Sequence, residues 1–234
     1  MYFVKLGRGL PILFLHGWGC DGSIFQSVAK RLPNYTNYLV DFVGFGKSAK
    51  PSIEGWTVFD YVNDVVRFMD EQKLTKVTIV GHSFGCRVAM VLSALHPQRV
   101  SKLLLVAPAG IRRPSFARWC KVAKYKLHKF LCKMGLAQNL TSHYGSVDYN
   151  ACESWMKNTF VKVVNQDLSK YAKSITCPTL IINGNADTQT PIKHAKSLNR
   201  LIKNSSLVEI DGVHFAFFST PQAFARTIQL FEEG

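Results

Sequence analysis

The chain has 234 residues, of which 47% are apolar and 19% are charged, and its formal net charge is +14. This apolar content excludes an intrinsically disordered chain, and no apolar run approaches the roughly 20 residues of a membrane span. We expect one domain, or one domain with an insertion, in a cytoplasmic protein, because the first residues lack the layout of a secretion signal.

Short apolar runs that end near glycine or proline recur along the chain and predict buried strands. In chain order they cover residues 11–15, 38–41, 77–80, 103–106, 179–182 and 207–210. Runs this apolar indicate strands that are covered on both faces, as in a parallel sheet.

Helical patterns lie between these strands. Thr57 and Asp60 have the spacing of a capping box at the start of a helix, and a second helix is predicted to follow Ser83. Thr220-Pro221 is typical of the start of the last helix. The alternation predicts an α/β fold, with a mostly parallel twisted sheet and helices on both of its faces.

Residues 112–176 interrupt the alternation, because they show helical patterns only, over 114–135 and 149–164. We interpret 112–176 as a small helical lid inserted into a core formed by 1–111 and 177–234. The lid holds twelve Lys and Arg against three acids, so it carries +9 of the net charge of +14.

The strongest local motif is Gly81-His-Ser83-Phe-Gly85, between a predicted strand and a predicted helix. A serine on such a sharp turn projects its hydroxyl above the sheet edge, where it can act as a nucleophile. The alternative interpretation is an ordinary glycine-rich turn. The strand and helix on either side favour Ser83 as the nucleophile.

A serine nucleophile needs a base and an acid that orients the base. His214 follows the last predicted strand and Asp187 follows the preceding one, so both should lie at the same sheet edge as Ser83. Three other acids are possible partners of His214, although their positions are less favourable: Asp41, Asp167 and Asp211. His16 is predicted to order its own loop, and His82 to point away from the site as a packing or hydrogen-bonding residue.

An acyl-transfer site also needs N–H donors for the developing oxyanion. We predict the N–H groups of Phe84 and of Trp18, which lies in the glycine-flanked loop 16–19. The Trp18 side chain either forms a wall of the acyl pocket or packs in the core. The six cysteines lack metal-site spacing and are predicted to be reduced thiols, and we expect no cofactor or metal.

Taken together, five motifs resemble the α/β-hydrolase fold in their order and spacing. They are His16-Gly-Trp-Gly19, Asp41-Phe-Val-Gly-Phe-Gly-Lys-Ser48, Gly81-His-Ser-Phe-Gly85, Gly184-Asn-Ala-Asp187 and Gly212-Val-His214. Val43 departs from the family pattern, which usually has proline there. The family's dehalogenase and epoxide hydrolase branches use aspartate where this chain has Ser83. The first loop and the short lid look most similar to compact carboxylesterases, including pimeloyl-carrier-protein methyl ester esterases, and to meta-cleavage C–C hydrolases.

This resemblance implies a serine hydrolase that cleaves a carboxylic ester of a small or medium acyl substrate through an acyl-enzyme. The alternatives are a C–C bond hydrolase, an esterase acting on carrier-bound esters, and a small-ligand receptor on the same fold. An acidic carrier protein would suit the basic lid residues Arg112, Arg113, Arg118, Lys121 and Lys124, which otherwise form a solvated face. Specific nucleic-acid binding is not expected, because no recognition motif accompanies the charge.

Overall fold

The structure, a computed structural model, describes residues 1–111, 116–134 and 146–234, with side chains from residue 123 onward in the second range. The strands are β1 (Tyr2–Leu6), β2 (Leu10–Leu15), β3 (Tyr35–Asp41), β4 (Val77–His82), β5 (Val100–Val106), β6 (Thr179–Gly184) and β7 (Ser205–Ile210). Within the described residues they form one seven-stranded sheet in the order β1-β3-β2-β4-β5-β6-β7.

The sheet is mostly parallel, as predicted. The six predicted strands are β2 to β7 and pair in parallel, whereas β1 pairs antiparallel with β3. The sequence analysis missed β1, although this strand contains the apolar run Tyr2-Phe3-Val4.

The helices are α1 (Gln26–Ala29), α2 (Val58–Glu71), α3 (Phe84–Leu95), α4 (Phe116–Lys133), α5 (Val147–Ala151), α6 (Met156–Asn165), α7 (Ser169–Lys173), α8 (Ile192–Leu201), α9 (Ala216–Ser219) and α10 (Pro221–Glu233). The predicted capping box is confirmed at the start of α2, where the Thr57 N–H donates to Asp60 Oδ2 at 2.7 Å. None of the helices that the structure describes has the length and apolar content needed to cross a bilayer.

The single helix predicted over 149–164 is wrong. The chain forms α5 and α6 instead, because Cys152 leaves the helical region, with φ −67° and ψ 136°. Of the predicted lid, residues 112–115 and 135–145 lie outside the described residues.

The core lies on both faces of the sheet. Successive side chains of a strand point to opposite faces, so Leu13 and Leu15 of β2 join one apolar cluster while Ile12 and Phe14 join the other. All four side chains are fully buried. Because β4 lies next to β2 in the middle of the sheet, the turn from β4 into α3 has a rigid base.

Helix α6, in the segment that the sequence analysis interprets as a lid, is tied to the rest of the fold by polar contacts. The Trp56 N–H donates to Thr159 Oγ1 at 3.0 Å, and Lys162 Nζ donates to the Gly55 carbonyl at 2.6 Å. Arg87 Nη1 donates to the Val163 carbonyl at 3.0 Å. These contacts hold α6 in place over the core.

Candidate active site

The turn between β4 and α3 has the sharp geometry that the motif predicts. Ser83 has φ 50° and ψ −105°, a conformation that residues other than glycine seldom adopt. A Cβ atom at Gly85 would overlap the carbonyl oxygen of Leu15, and one at Gly81 would lie 2.9 Å from the Gly85 carbonyl oxygen. The turn therefore closes only with glycine on both sides. Ser83 is partly exposed, whereas its neighbour Phe84 is buried.

Two stretches of backbone adjoin Ser83. Helix α3 begins at Phe84, and the first N–H groups of a helix have no acceptor within it. On the other side, a Cβ atom built at Gly17 would lie 3.6 Å from the Ser83 Cβ. The predicted oxyanion donors, Phe84 and Trp18, directly follow Ser83 and Gly17 in the chain, so their backbones adjoin this contact.

The acid and the base predicted from the sequence form a buried pair. His214 Nδ1 donates to Asp187 Oδ2 at 2.8 Å, and the two residues are 6% and 4% exposed. Burial raises the pKa of Asp187, but hydrogen bonds from Thr190 and His214 outweigh it and hold that pKa below its usual value. With Nδ1 donating, the Nε2 atom of a neutral His214 is left as a proton acceptor.

Thr190 is a site residue that the sequence analysis missed. Its N–H donates to Asp187 Oδ1 at 2.8 Å, and its Oγ1 donates to Oδ2 of the same carboxylate at 2.7 Å. The N–H of Gln189 also donates to Oδ1, at 2.8 Å. The signal was available, because an aspartate often accepts from N–H groups two and three residues later.

The loops that carry Asp187 and His214 are tied together. Asn185 Nδ2 donates to Asp211 Oδ1 at 2.7 Å, the Gly212 N–H donates to Asn185 Oδ1 at 3.2 Å, and the Ala186 N–H donates to the Gly212 carbonyl at 3.0 Å. Asp211 is exposed and bonds to the Asn185 side chain. The described contacts of Asp211 are therefore those of a loop-forming residue.

His16 and Asp41 organise the backbone near the site. The Phe42 N–H donates to His16 Nε2 at 3.0 Å, and His16 Nδ1 donates to the Gly17 carbonyl at 2.7 Å. Burial lowers the pKa of His16 to about 4, so the ring is neutral near pH 7. Asp41 accepts two backbone N–H groups at 2.8 Å each. The predicted loop-ordering role of His16 is confirmed.

His82 lies against the His214 loop rather than away from it. Its Nε2 donates to the His214 carbonyl at 3.1 Å, and the two ring centroids are 4.8 Å apart. Phe217 packs on the same ring at 5.0 Å. Burial lowers the pKa of His82 to about 3, so the ring is neutral. The expected hydrogen-bonding role is confirmed, but the expected direction is wrong.

A cavity of about 230 Å³ is lined by the loop that holds Trp18 and by residues around α5 and α6, with the acids Asp148 and Glu153 among them. None of its described lining residues belongs to the turn that carries Ser83. Its apolar lining side chains are Trp18, Phe45, Ala151, Cys152, Trp155 and Met156. The Trp18 Nε1 donates to Cys152 Sγ at 3.3 Å, and the Trp18 ring meets the Phe84 ring edge-on at 5.3 Å. Trp18 thus contacts both the cavity and Phe84, and it also packs against the apolar core, so it fits both of the alternatives considered for this side chain. Trp155 also lines the cavity.

Most of the predicted carrier-docking residues cannot be placed. Arg112 and Arg113 lie outside the described residues, and Arg118 and Lys121 belong to the part of α4 without described side chains. Lys124 is exposed on α4. Across the described ranges, no group of three or more His, Cys, Asp or Glu side chains is arranged to hold a metal ion.

A sequence model of the alpha/beta hydrolase fold family matches residues 11–176 of the chain. The AB hydrolase superfamily protein YisY of Bacillus subtilis is 26% identical over 260 aligned residues, which cover 100% of this chain and 96% of the relative. The pimeloyl-[acyl-carrier protein] methyl ester esterase of Wigglesworthia glossinidia brevipalpis is 25% identical over 256 residues, covering 97% and 95%.

Among solved structures, the esterase from Exiguobacterium antarcticum superposes with a TM-score of 0.79 and 24% sequence identity. The superposition covers 100% of this chain and 95% of that esterase. At this identity the likeness shows a shared fold.

Proposed function

Because the chain belongs to the α/β-hydrolase fold family, it is a hydrolase, and we propose that it cleaves carboxylic esters with Ser83, His214 and Asp187 as its catalytic triad. The observation that carries this proposal is the buried hydrogen bond between His214 and Asp187. The His214 carbonyl accepts from His82, the residue before Ser83. This hydrogen bond links the residue before the proposed nucleophile to the backbone of the proposed base.

In the proposed reaction, Ser83 Oγ attacks the ester carbonyl carbon while His214 Nε2 takes the hydroxyl proton. The carbonyl oxygen becomes an oxyanion. When the tetrahedral intermediate collapses, the proton on His214 passes to the leaving alcohol, and the acyl group stays on Ser83. A water molecule, deprotonated by the same nitrogen, then releases the acid and restores Ser83.

Asp187 keeps the His214 ring in the tautomer that presents Nε2 to the nucleophile. The lowered pKa of Asp187 keeps the carboxylate ionised, so its charge stabilises the imidazolium that forms in each half-reaction. Thr190 holds the carboxylate in place by two hydrogen bonds.

The N–H groups of Phe84 and Trp18 are the proposed oxyanion donors. The start of α3 adds the positive end of the helix dipole near Ser83. Losing one such donor costs about 2.7–4 kcal/mol of transition-state stabilisation in comparable sites.

The substrate proposed is an ester of a small or medium apolar acyl group. A cavity of about 230 Å³ offers a volume of that order, with Trp18, Phe45 and Met156 forming its apolar part and Asp148 and Glu153 its acidic part. The acyl group of this ester is either free or linked to an acidic carrier protein, and in both cases an alcohol leaves. The name of the Wigglesworthia relative and the basic lid sequence support the carrier-linked form.

The test is hydrolysis of p-nitrophenyl esters from acetate to decanoate, with Ser83→Ala and Ser52→Ala compared with the unaltered enzyme. We expect turnover to be lost with Ser83→Ala and kept with Ser52→Ala, because Ser52 is an exposed loop residue. Labelling by a fluorophosphonate should add one adduct, at Ser83. An inactive, unlabelled wild-type protein would contradict the proposal, and turnover of a ring-fission diketone instead would favour the C–C hydrolase. Tight retention of a small ligand without turnover would favour the receptor.

A further inference from the structure

The C-terminal part of helix α4 and the residue after it present three apolar side chains to the outside. Leu127, Phe130 and Met134 are 59%, 58% and 57% exposed, and their spacing places them along one face of the helix. The partly buried side chains between residues 123 and 134 are Tyr125, His128, Leu131 and Cys132. Leu131 lies beside Leu127, and the other three lie on the far side of the helix. A helix on a globular protein usually buries its apolar face, whereas this part of α4 exposes these three apolar side chains.

Lysines border this apolar stripe on both sides. Lys124, Lys126, Lys129 and Lys133 are all exposed, and the stretch from 112 to 133 contains no Asp or Glu. Helical spacing places Lys124 on one side of the stripe and Lys126 and Lys133 on the other. Apolar side chains flanked by cations are the pattern of helices that lie in a membrane interface.

Within the described residues, Leu127, Phe130 and Met134 each keep more than half of their surface exposed. Helix α6, in contrast, is fastened to the core by Thr159 and Lys162 and buries Phe160. The outward face of α4 is therefore available to an external surface.

We propose that α4 docks on an anionic membrane surface, with Leu127, Phe130 and Met134 in the boundary between headgroups and acyl chains. The lysines would then lie at the level of the lipid phosphates. A second copy of this chain would bring the same lysines together and is disfavoured by repulsion. An acidic protein would satisfy the lysines, but a lipid surface satisfies both the lysines and a projecting apolar stripe.

This proposal does not depend on the triad, since it concerns attachment and not hydrolysis. The experiment is cosedimentation with vesicles of phosphatidylcholine alone or mixed with phosphatidylglycerol. We expect the full chain to bind the mixed vesicles and to be released as salt screens the charges.

Two double variants test the two parts of the surface. Leu127→Ser with Phe130→Ser should weaken partitioning at least about tenfold, because it removes the buried apolar area. Lys126→Glu with Lys133→Glu should weaken it roughly fivefold or more for each lysine. The matched controls are Leu10→Ser with Ile53→Ser, at side chains 68% and 73% exposed elsewhere, and Lys30→Glu with Lys203→Glu.

Hydrolysis of a soluble ester and circular dichroism report whether each variant is folded. Vesicle binding that is lost with the α4 variants and kept with the controls supports the proposal. Absence of binding to the mixed vesicles overturns it, as does binding that the α4 variants leave unchanged. The proposal is equally overturned if α4 variants abolish only binding to an acidic carrier protein, or only self-association measured by light scattering.

Discussion

His214 Nδ1 lies 2.8 Å from Asp187 Oδ2, and both side chains are almost completely buried. The carboxylate also accepts hydrogen bonds from the Gln189 N–H, the Thr190 N–H and Thr190 Oγ1. These contacts fix its orientation before any substrate binds. Preorganisation of this kind is what a general base needs from its partner, because no reorientation is then required during the reaction.

Asp187→Asn is expected to lower kcat by roughly 10⁴ while leaving the fold intact. The amide is similar in shape but carries no charge to stabilise the imidazolium, and its NH₂ group can reverse the tautomer of His214. Steady-state hydrolysis of a soluble ester measures the loss. Asp211→Asn is the control, because Asp211 is exposed and bonds to Asn185. A larger loss with Asp211→Asn would assign the acid to Asp211 instead.

Thr190→Val should lower kcat roughly tenfold or more, since hydrogen bonds to charged groups contribute about 1.5–3 kcal/mol. Valine keeps the backbone N–H to Asp187 and loses only the Oγ1 donor. Thr190→Ser retains that donor and should keep most of the activity. If Val and Ser variants lose equal activity, the hydroxyl does not position the carboxylate.

The sheet was predictable because its strands contain short apolar runs, including the partly exposed edge strand β7, and β1 was overlooked although it contains the run Tyr2-Phe3-Val4. The places of Ser83, Asp187 and His214 at strand ends were predictable for the same reason. Thr190 was overlooked because its role depends on a local turn after Asp187. The sequence does not predict where the His82 ring points, because its orientation depends on the packing of the His214 loop, 132 residues later in the chain.

Stability should fall as the pH drops below about 6.5. His16 and His82 have pKa values lowered by burial to about 4 and about 3, so the unfolded chain takes up protons that the folded chain does not. The stabilisation is complete above the unfolded value and declines as the pH falls towards the folded values. At about pH 5 the loss is about 2 kcal/mol from each ring.

Urea unfolding at about pH 7.5 and about pH 5 measures this difference. His82→Gln removes one titrating ring and should reduce the pH-dependent loss by about half. His96→Gln is the control, because His96 is partly exposed at the end of α3. An unchanged pH dependence in His82→Gln would show that the buried ring does not carry it.

Trp155→Ala is expected to shift the preferred ester towards longer acyl chains. Trp155 lines the cavity beside Trp18, so its removal enlarges the apolar volume available to substrate. The measurement is kcat/KM across the p-nitrophenyl ester series. Trp56→Ala is the matched control, because Trp56 packs on Tyr61 in the core region. If Trp155→Ala and Trp56→Ala prefer the same acyl chain length, the acyl group binds outside this cavity.

Gly17→Ala should lower kcat, because the added methyl group would collide with the His82 ring. A Cβ atom at residue 17 would lie 2.8 Å from His82 Nδ1, too close for the ring to stay in place. The ring cannot move freely, since it packs on Phe217 and donates to the His214 carbonyl. We therefore expect the displaced ring to disturb the backbone of the catalytic histidine.

A double-mutant cycle with His82→Ala separates this effect from a general disturbance of the Gly17 loop. If the collision with His82 is the cause, Gly17→Ala should cost much less activity in the His82→Ala background, because the methyl group then enters the space that the ring has left. Ester hydrolysis and urea unfolding of the four proteins give the coupling in kcat and in the free energy of unfolding. Additive losses would mean that Gly17 acts on Ser83 or Trp18 directly, and not through the ring that supports His214.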